Sequence, residues 1–140
     1  MANKILLDVN VCLDFLLKRR PFSDSAGLIF EAAEQNRVEA VISTISFDTM
    51  FYILRPSLGS HRATDRLREL TVHTNIGTVS EQVVQKALTA GWNDLEDAIQ
   101  YFSADAAGCD AVITRDDSGF TPNGISVLSP DEYISTYLSL

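Results

Sequence analysis

The sequence predicts a single α/β domain with a central parallel sheet, spanning residues 1–140. Short apolar segments alternate with longer stretches of helical periodicity, the pattern of strands joined by helical crossovers. An early run, Lys4-Ile5-Leu6-Leu7, and a late one, Ala111-Val112-Ile113-Thr114, are apolar without alternation, as strands buried on both faces are. No linker, internal repeat or low-complexity tract interrupts the series.

The elements follow in order. The opening run closes on Asp8, and Val11 to Lys18 then has helical character until Arg20-Pro21 stops it. Ser23 or Asp24 caps a second helix to about Gln35, with Leu28, Ile29, Ala32 and Ala33 inward. Val38 to Ile42 reads as a strand, and Ser46 to Leu54 as a helix that ends near Pro56. His61 to Leu70 is a charged helix and Val72 to Ile76 a third strand. Ser80 caps a helix to Ala90 that Gly91 terminates, with Val83, Val84, Ala87 and Leu88 as its stripe. Asp94 to Ala107 is the next helix, its inner face Ala98, Ile99, Phe102 and Ala106. Ala111–Thr114 and Ile125–Leu128 complete the strands. Ser129-Pro130-Asp131-Glu132 then opens a last helix with Tyr133, Ile134, Tyr137 and Leu138 inward.

Composition narrows the class. The hydrophobic share of 46% is that of a globular domain, and its length needs no staples. No apolar run approaches the roughly 20 residues of a membrane span. The N-terminus lacks the basic start and small-residue cleavage site of a signal peptide, so a cytoplasmic location is expected. Cys12 and Cys109 are far apart and form no CxxC pair, which suits buried reduced thiols better than a disulfide. A net charge of −8 argues against broad attraction to nucleic acid. It leaves open a nucleic-acid enzyme whose acidic site holds cations, with substrate reaching it by a local basic patch, a metal or a partner. Lys18-Arg19-Arg20 and the set Arg62, Arg66, Arg68 could contact phosphates, although a solvated face explains each more simply.

Ligands in open parallel sheets bind beyond the carboxyl ends of the strands. Asp8 closes the first strand there. Asp116 follows the strand ending at Thr114, with Asp117 beside it, and Asp94 and Asp97 lie in the first turn of a helix. Carboxylates converging in one crevice repel one another unless a cation offsets them. Hard divalent cations such as Mg2+ and Mn2+ take oxygen ligands of this kind. Such a site can activate a water and stabilise displacement at a phosphodiester, which is nuclease chemistry. Each residue also has a plainer account. Asp8 fits a helix cap, Asp94 and Asp97 fit N-cap and N3 positions, and Asp116-Asp117-Ser118-Gly119 fits a turn. Asp110, just before a strand, reads as a structural hydrogen-bonding residue, and His61 and His73 share no ligand spacing.

Three segments together carry a resemblance. Leu6-Leu7-Asp8-Val9-Asn10-Val11 resembles the opening motif of PIN-domain proteins, an apolar run followed by Asp-Thr-Asn-Val. Asn93-Asp94-Leu95-Glu96-Asp97-Ala98-Ile99-Gln100 is similar to their Asp-Phe-Glu-Asp-Ala-Leu-Gln segment. Cys109-Asp110-Ala111-Val112-Ile113-Thr114-Arg115-Asp116 resembles their apolar strand ending in Thr-Arg-Asn or Thr-Arg-Asp. The order and spacing agree along nearly the whole chain.

This resemblance, to the toxin-type, VapC-like ribonucleases of the family, implies a PIN-like α/β/α sandwich, dependence on Mg2+ or Mn2+, and cleavage of RNA. It further implies a homodimer and an antitoxin protein partner. Carried over by position, Asp8, Asp97 and Asp116 would bind metal and act in catalysis, with Asp94 beside them. Asn10 and Thr114 would hold the carboxylates by hydrogen bonds. At the family's second acidic position this chain has Thr49, with Asp48 one residue earlier, and one residue is about 100° of helix rotation. Either Asp48 substitutes through a shifted helix, or the site runs on three acids, or catalysis is impaired. The expected function is therefore a metal-dependent endoribonuclease. The alternatives are a PIN-like binding module acting through a protein partner, and a receiver-like domain with Asp8 as phospho-acceptor.

Overall fold

The apolar run Lys4–Leu7 forms β1 and takes the middle of the sheet, as burial on both faces requires. The computed structural model describes residues 3–122 and 124–138. Among them β1 is followed by α1 (Val9–Leu16), α2 (Ser23–Glu34), β2 (Glu39–Ser43), α3 (Thr44–Leu58), α4 (Ser60–Leu70) and β3 (Asn75–Gly77). Then come α5 (Glu81–Ala90), α6 (Leu95–Ala106), β4 (Ala111–Ile113), β5 (Ser126–Leu128) and α7 (Pro130–Tyr137). Every pairing is parallel, in the order β3-β2-β1-β4-β5. The chain thus builds outward from β1 to β3, returns, and adds β4 and β5 on the other side. The direction switches between β1 and β4, where Leu7 pairs with Ile113. Such a switch point is where open parallel sheets bind ligands. A receiver-like sheet instead sets β1 between β2 and β3, so the phospho-acceptor reading does not fit this order.

Alternation along the strands divides the core. Ile5, Leu7, Ala40, Ile42, Ala111 and Ile113 face one layer, where Leu13, Ile29, Met50, Leu54 and Tyr133 pack on them. Leu6, Val41 and Val112 face the other, against Tyr101 and Ala104 of α6 and Phe120. The result is the expected α/β/α sandwich. Leu7 is fully buried beside the switch point. Leu7→Ala is expected to cost about 2–5 kcal/mol, read as a lower urea midpoint at unchanged slope.

Several expectations hold in detail. The Val83 N–H donates to the Ser80 hydroxyl at 3.2 Å, and Gly91 ends α5 in the left-handed region at φ 72°. Ser129 and Glu132 form a reciprocal capping box with Pro130 in the first turn. Asp110 accepts from the Asn3 and Lys4 amides, each at 3.1 Å, and both cysteines are free and buried.

Others are corrected. The helix expected to stop near Pro56 begins at Thr44 and runs through the proline to Leu58. Pro56 lies in the last turn and deletes only the N–H that would serve the Tyr52 carbonyl, on a stretch where Tyr52 is 61% exposed. The third strand begins at Asn75 instead of Val72. Residues 71–74 close α4, with the Thr74 hydroxyl donating to the Leu70 carbonyl at 2.8 Å and Val72 left exposed. Ser23 is the first residue of α2, not its cap, and Leu28, Leu88 and Tyr137 are exposed, not inward. On α6 the buried face is Ala98, Gln100, Tyr101, Ser103 and Ala104, while Ala106 is exposed. Two polar residues define that face, so a search for apolar periodicity placed the stripe out of phase.

Candidate functional site

The alternation that packs the sheet also aims the site. Leu6 and Val112 point toward α6, and two residues further Asp8 and Thr114 do the same, at the carboxyl ends of β1 and β4. Asp8 is extended (φ −62°, ψ 151°), caps α1, and continues the ladder through its N–H to the Ile113 carbonyl at 2.9 Å. Its Oδ1 accepts from the Val9 N–H at 2.9 Å and from Gln100 Nε2 at 2.7 Å. Its Oδ2 accepts from the Thr114 hydroxyl at 3.0 Å. Burial raises the Asp8 carboxyl above its ordinary range, while Gln100, Thr114 and the Val9 and Asn10 amides pull it back. The helix-cap account therefore holds for Asp8, at the sheet edge where a ligand site is expected. Asn10, expected to hold the carboxylates by hydrogen bonds, reaches Asp8 through its main-chain N–H.

Thr114 joins two acidic positions. Its hydroxyl oxygen accepts from the Asp116 N–H at 3.2 Å and lies 3.1 Å from the Asp116 carbonyl, besides serving Asp8. Asp116 itself is exposed. Its Oδ1 accepts from the Ser118 N–H at 3.1 Å and from the Ser118 hydroxyl at 2.7 Å, which holds the carboxyl below its usual range. Asp117 is an exposed turn residue whose carbonyl accepts from the Phe120 N–H at 3.0 Å.

On α6, Asp94 is the N-cap, its Oδ1 accepting from the Asp97 N–H at 3.0 Å, so the capping account holds for it. Asp97 is half-buried, and its carboxyl is pushed up to about 7, first by burial and then by Asp94, Asp8, Glu96 and Asp116. Glu96 is raised by burial, with Asp8 and Asp94 adding to it. Asp48 is exposed, and Thr49 is half-buried with its hydroxyl 3.5 Å from the Ile45 carbonyl. The basic set on α4 serves local partners: Arg66 donates to the Leu16 carbonyl at 3.1 Å, and Arg68 pairs with Asp65 at 2.6 Å.

The donor set is wholly oxygen, the kind that hard divalent cations prefer. The mutual repulsion that raises Asp97 is what a cation would offset. In this respect the residues fit Mg2+ or Mn2+. Among the described residues, however, no three His, Cys, Asp or Glu side chains stand together as a group that could hold a metal. Asp8 and Asp116 both act on the Asp97 carboxyl, without the three forming a closed ligand set.

Gly119 fixes how closely the turn after β4 approaches α6. A Cβ there would stand 1.9 Å from Asp97 Oδ2 and 3.2 Å from the Asp94 Cβ. Gly119→Ala must displace the Asp97 carboxylate, and a misplacement of about 1 Å can cost about a hundredfold in rate. We expect a rate loss of roughly that size with the melting temperature little changed, checked by single-turnover kinetics and thermal unfolding of the same preparation.

Sequence reasoning missed three contributors. Gln100 stands at the end of the Asn93–Gln100 motif yet had no assigned role, and it is fully buried against Asp8. Asp14 is 1% exposed in an otherwise apolar helix, a charge whose position was itself a signal, and Arg115 binds it with Nε at 2.8 Å.

The comparisons with known proteins agree with this fold. The model of a family described as PIN domain matches residues 4–118. Ribonuclease VapC1 of Aquifex aeolicus (strain VF5) is 24% identical over 144 residues, covering 99% of each chain. DNA-bound VapBC from Salmonella typhimurium superposes with a TM-score of 0.70 at 18% identity, over 91% of this chain and 98% of that one. A toxin-antitoxin complex from Klebsiella pneumoniae gives 0.68 at 21% identity, over 90% and 97%. Mycobacterium tuberculosis VapC20, described as a Sarcin-Ricin loop cleaving toxin, gives 0.63 at 11% identity, over 81% and 91%.

Proposed function

Because the chain belongs to the PIN-domain family, we propose that it is an endoribonuclease of the toxin-antitoxin type, acting as one PIN-like domain and dependent on Mg2+ or Mn2+. The observation that carries this reading is the oxygen-rich edge at the β1–β4 switch point, where burial and then Asp94, Asp8, Glu96 and Asp116 raise the half-buried Asp97 carboxyl. Asp8, Asp97 and Asp116 would hold the cation, with Asp94 supporting Asp97 from the helix cap. Bound there, the cation supplies a water of lowered pKa and offsets charge on the phosphodiester. The chain's own residues do the rest. Gln100 and Thr114 fix the Asp8 carboxylate so that its oxygens need no reorganisation, and Thr114 couples that position to Asp116. Asp97 must be ionised to serve as a ligand.

RNA as substrate follows from the ribonuclease named among the relatives. The toxin-antitoxin complexes among the structural neighbours support an antitoxin protein as partner, and a homodimer belongs to the same reading. No helix of the described residues is long and apolar enough to cross a membrane.

A second reading, a binding module with impaired turnover, is favoured by Thr49 in place of an acid. Cleavage of a mixed RNA pool, with Mg2+ or Mn2+ added and removed by chelator, separates the two. Metal-dependent cleavage that Asp97→Asn abolishes supports the nuclease. Measurable Mn2+ binding without cleavage selects the binding module.

A further inference from the structure

We propose that the buried Asp14 and the partly exposed Arg115 form a clamp that sets the direction of the backbone at Asp116, making Arg115 a positioning residue of the site; this rests on the metal-dependent nuclease reading above. Asp14 is 1% exposed and receives Arg115 through Nε at 2.8 Å to Oδ2 and Nη2 at 3.4 Å to Oδ1. Arg19 adds a longer contact, Nη1 to Oδ1 at 3.6 Å. The guanidinium lies 4.3 Å over the Phe22 ring, which fixes its plane.

The placement of the pair along the chain gives it a role. Thr114, Arg115 and Asp116 are consecutive, and side chains leaving a strand alternate in direction. Thr114 turns toward α6 and bonds Asp8, while Arg115 turns to the other layer and bonds Asp14. Asp8 caps the start of α1 and Asp14 lies near its end. The exit from β4 is therefore tied to both ends of one helix. A single hydrogen bond would leave that segment free to pivot about Thr114, and two attachments on opposite sides of the backbone do not. The direction in which Asp116 leaves the sheet is set by this second tie. Stability alone is a weak reason for the arrangement, because a buried ion pair can often be replaced by apolar residues without loss. Leu13 and Leu16, on the same helix, are already buried and apolar.

The test separates position from stability. The double variant Asp14→Leu with Arg115→Met removes both charges together, and Arg115→Lys keeps the charge but loses the planar fork. Each is assayed well below its melting temperature for RNA cleavage and for hydrogen exchange of the Asp116 and Ser118 amides, which bond Thr114 Oγ1 and Asp116 Oδ1. We expect kcat to fall about ten- to a hundredfold with KM changed little, and those amides to exchange faster, while global stability is kept in at least one variant. A stable variant with wild-type kcat and unchanged protection of both amides overturns the clamp. If the wild type itself cleaves nothing, the nuclease reading fails, and amide exchange alone decides the clamp: faster exchange in a stable variant supports it, unchanged exchange overturns it.

Discussion

Asp97→Asn is expected to lower the rate of RNA cleavage by roughly three or more orders of magnitude, and Asp8→Asn by a comparable factor. Members of a cation-binding set fail together, since losing one ligand weakens metal affinity and water activation at once. The two variants differ in the folded protein, and that difference makes the test specific. Asp97 is a half-buried carboxylate raised first by burial and then by four neighbouring acids, so removing its charge relieves both the desolvation and the repulsion. Its variant should melt higher than the wild type in the absence of metal. Asp8 accepts from Gln100, Thr114 and Val9. An asparagine there escapes the burial penalty but loses charge-assisted bonds, so its melting temperature should stay close to that of the wild type. Single-turnover cleavage and thermal unfolding in chelator check both. Near-wild-type cleavage by either variant would remove that residue from the site.

Much of this site was legible because it obeys local rules. Asp8 and Thr114 stand at the ends of continuous apolar runs, and a parallel sheet delivers such positions to one edge. The caps at Ser80 and Ser129 depend on a few consecutive residues, and they formed as the sequence indicated. What stayed hidden is non-local. Gln100 meets Asp8, and Arg115 meets Asp14, only after the sheet has closed. No spacing rule reports that a polar side chain will be buried because its partner comes from another element. The misplaced α6 stripe has the same origin, since Gln100 and Ser103 occupy core-facing positions that apolar periodicity assigns to solvent. Gly119 reads as turn composition, and only the folded approach to Asp97 shows why a side chain there would intrude. The Thr49 departure was visible, but whether Asp48 could replace the acid depends on the rotation of α3, which no local spacing rule fixes.

Mn2+ affinity is expected to fall about tenfold for each unit that pH drops below about 7. The cation takes the ionised carboxylate, and Asp97, raised from 3.8 to about 7 in the metal-free protein, holds its proton below that point. Saturating metal should shift the inflection in the cleavage rate to lower pH, because binding and protonation compete for one group. The same shift has a signature in stability. A carboxyl whose folded pKa lies above its unfolded value binds more protons folded than unfolded between the two. The metal-free protein should therefore gain stability as pH falls from above 7 toward about 4, and lose it as pH rises through about 7. Asp8 is also raised and works in the same direction, whereas the lowered Asp116 works in the opposite one, at more acidic pH. Asp97→Asn should flatten most of the slope above pH ~5, in melts recorded in chelator. A wild-type protein whose Mn2+ affinity is level between about pH 5 and 8 would mean that Asp97 is no ligand. Level affinity with the stability slope intact would keep the crowded carboxylates but place the bound cation on other groups, because a ligand raised to about 7 must compete with its proton.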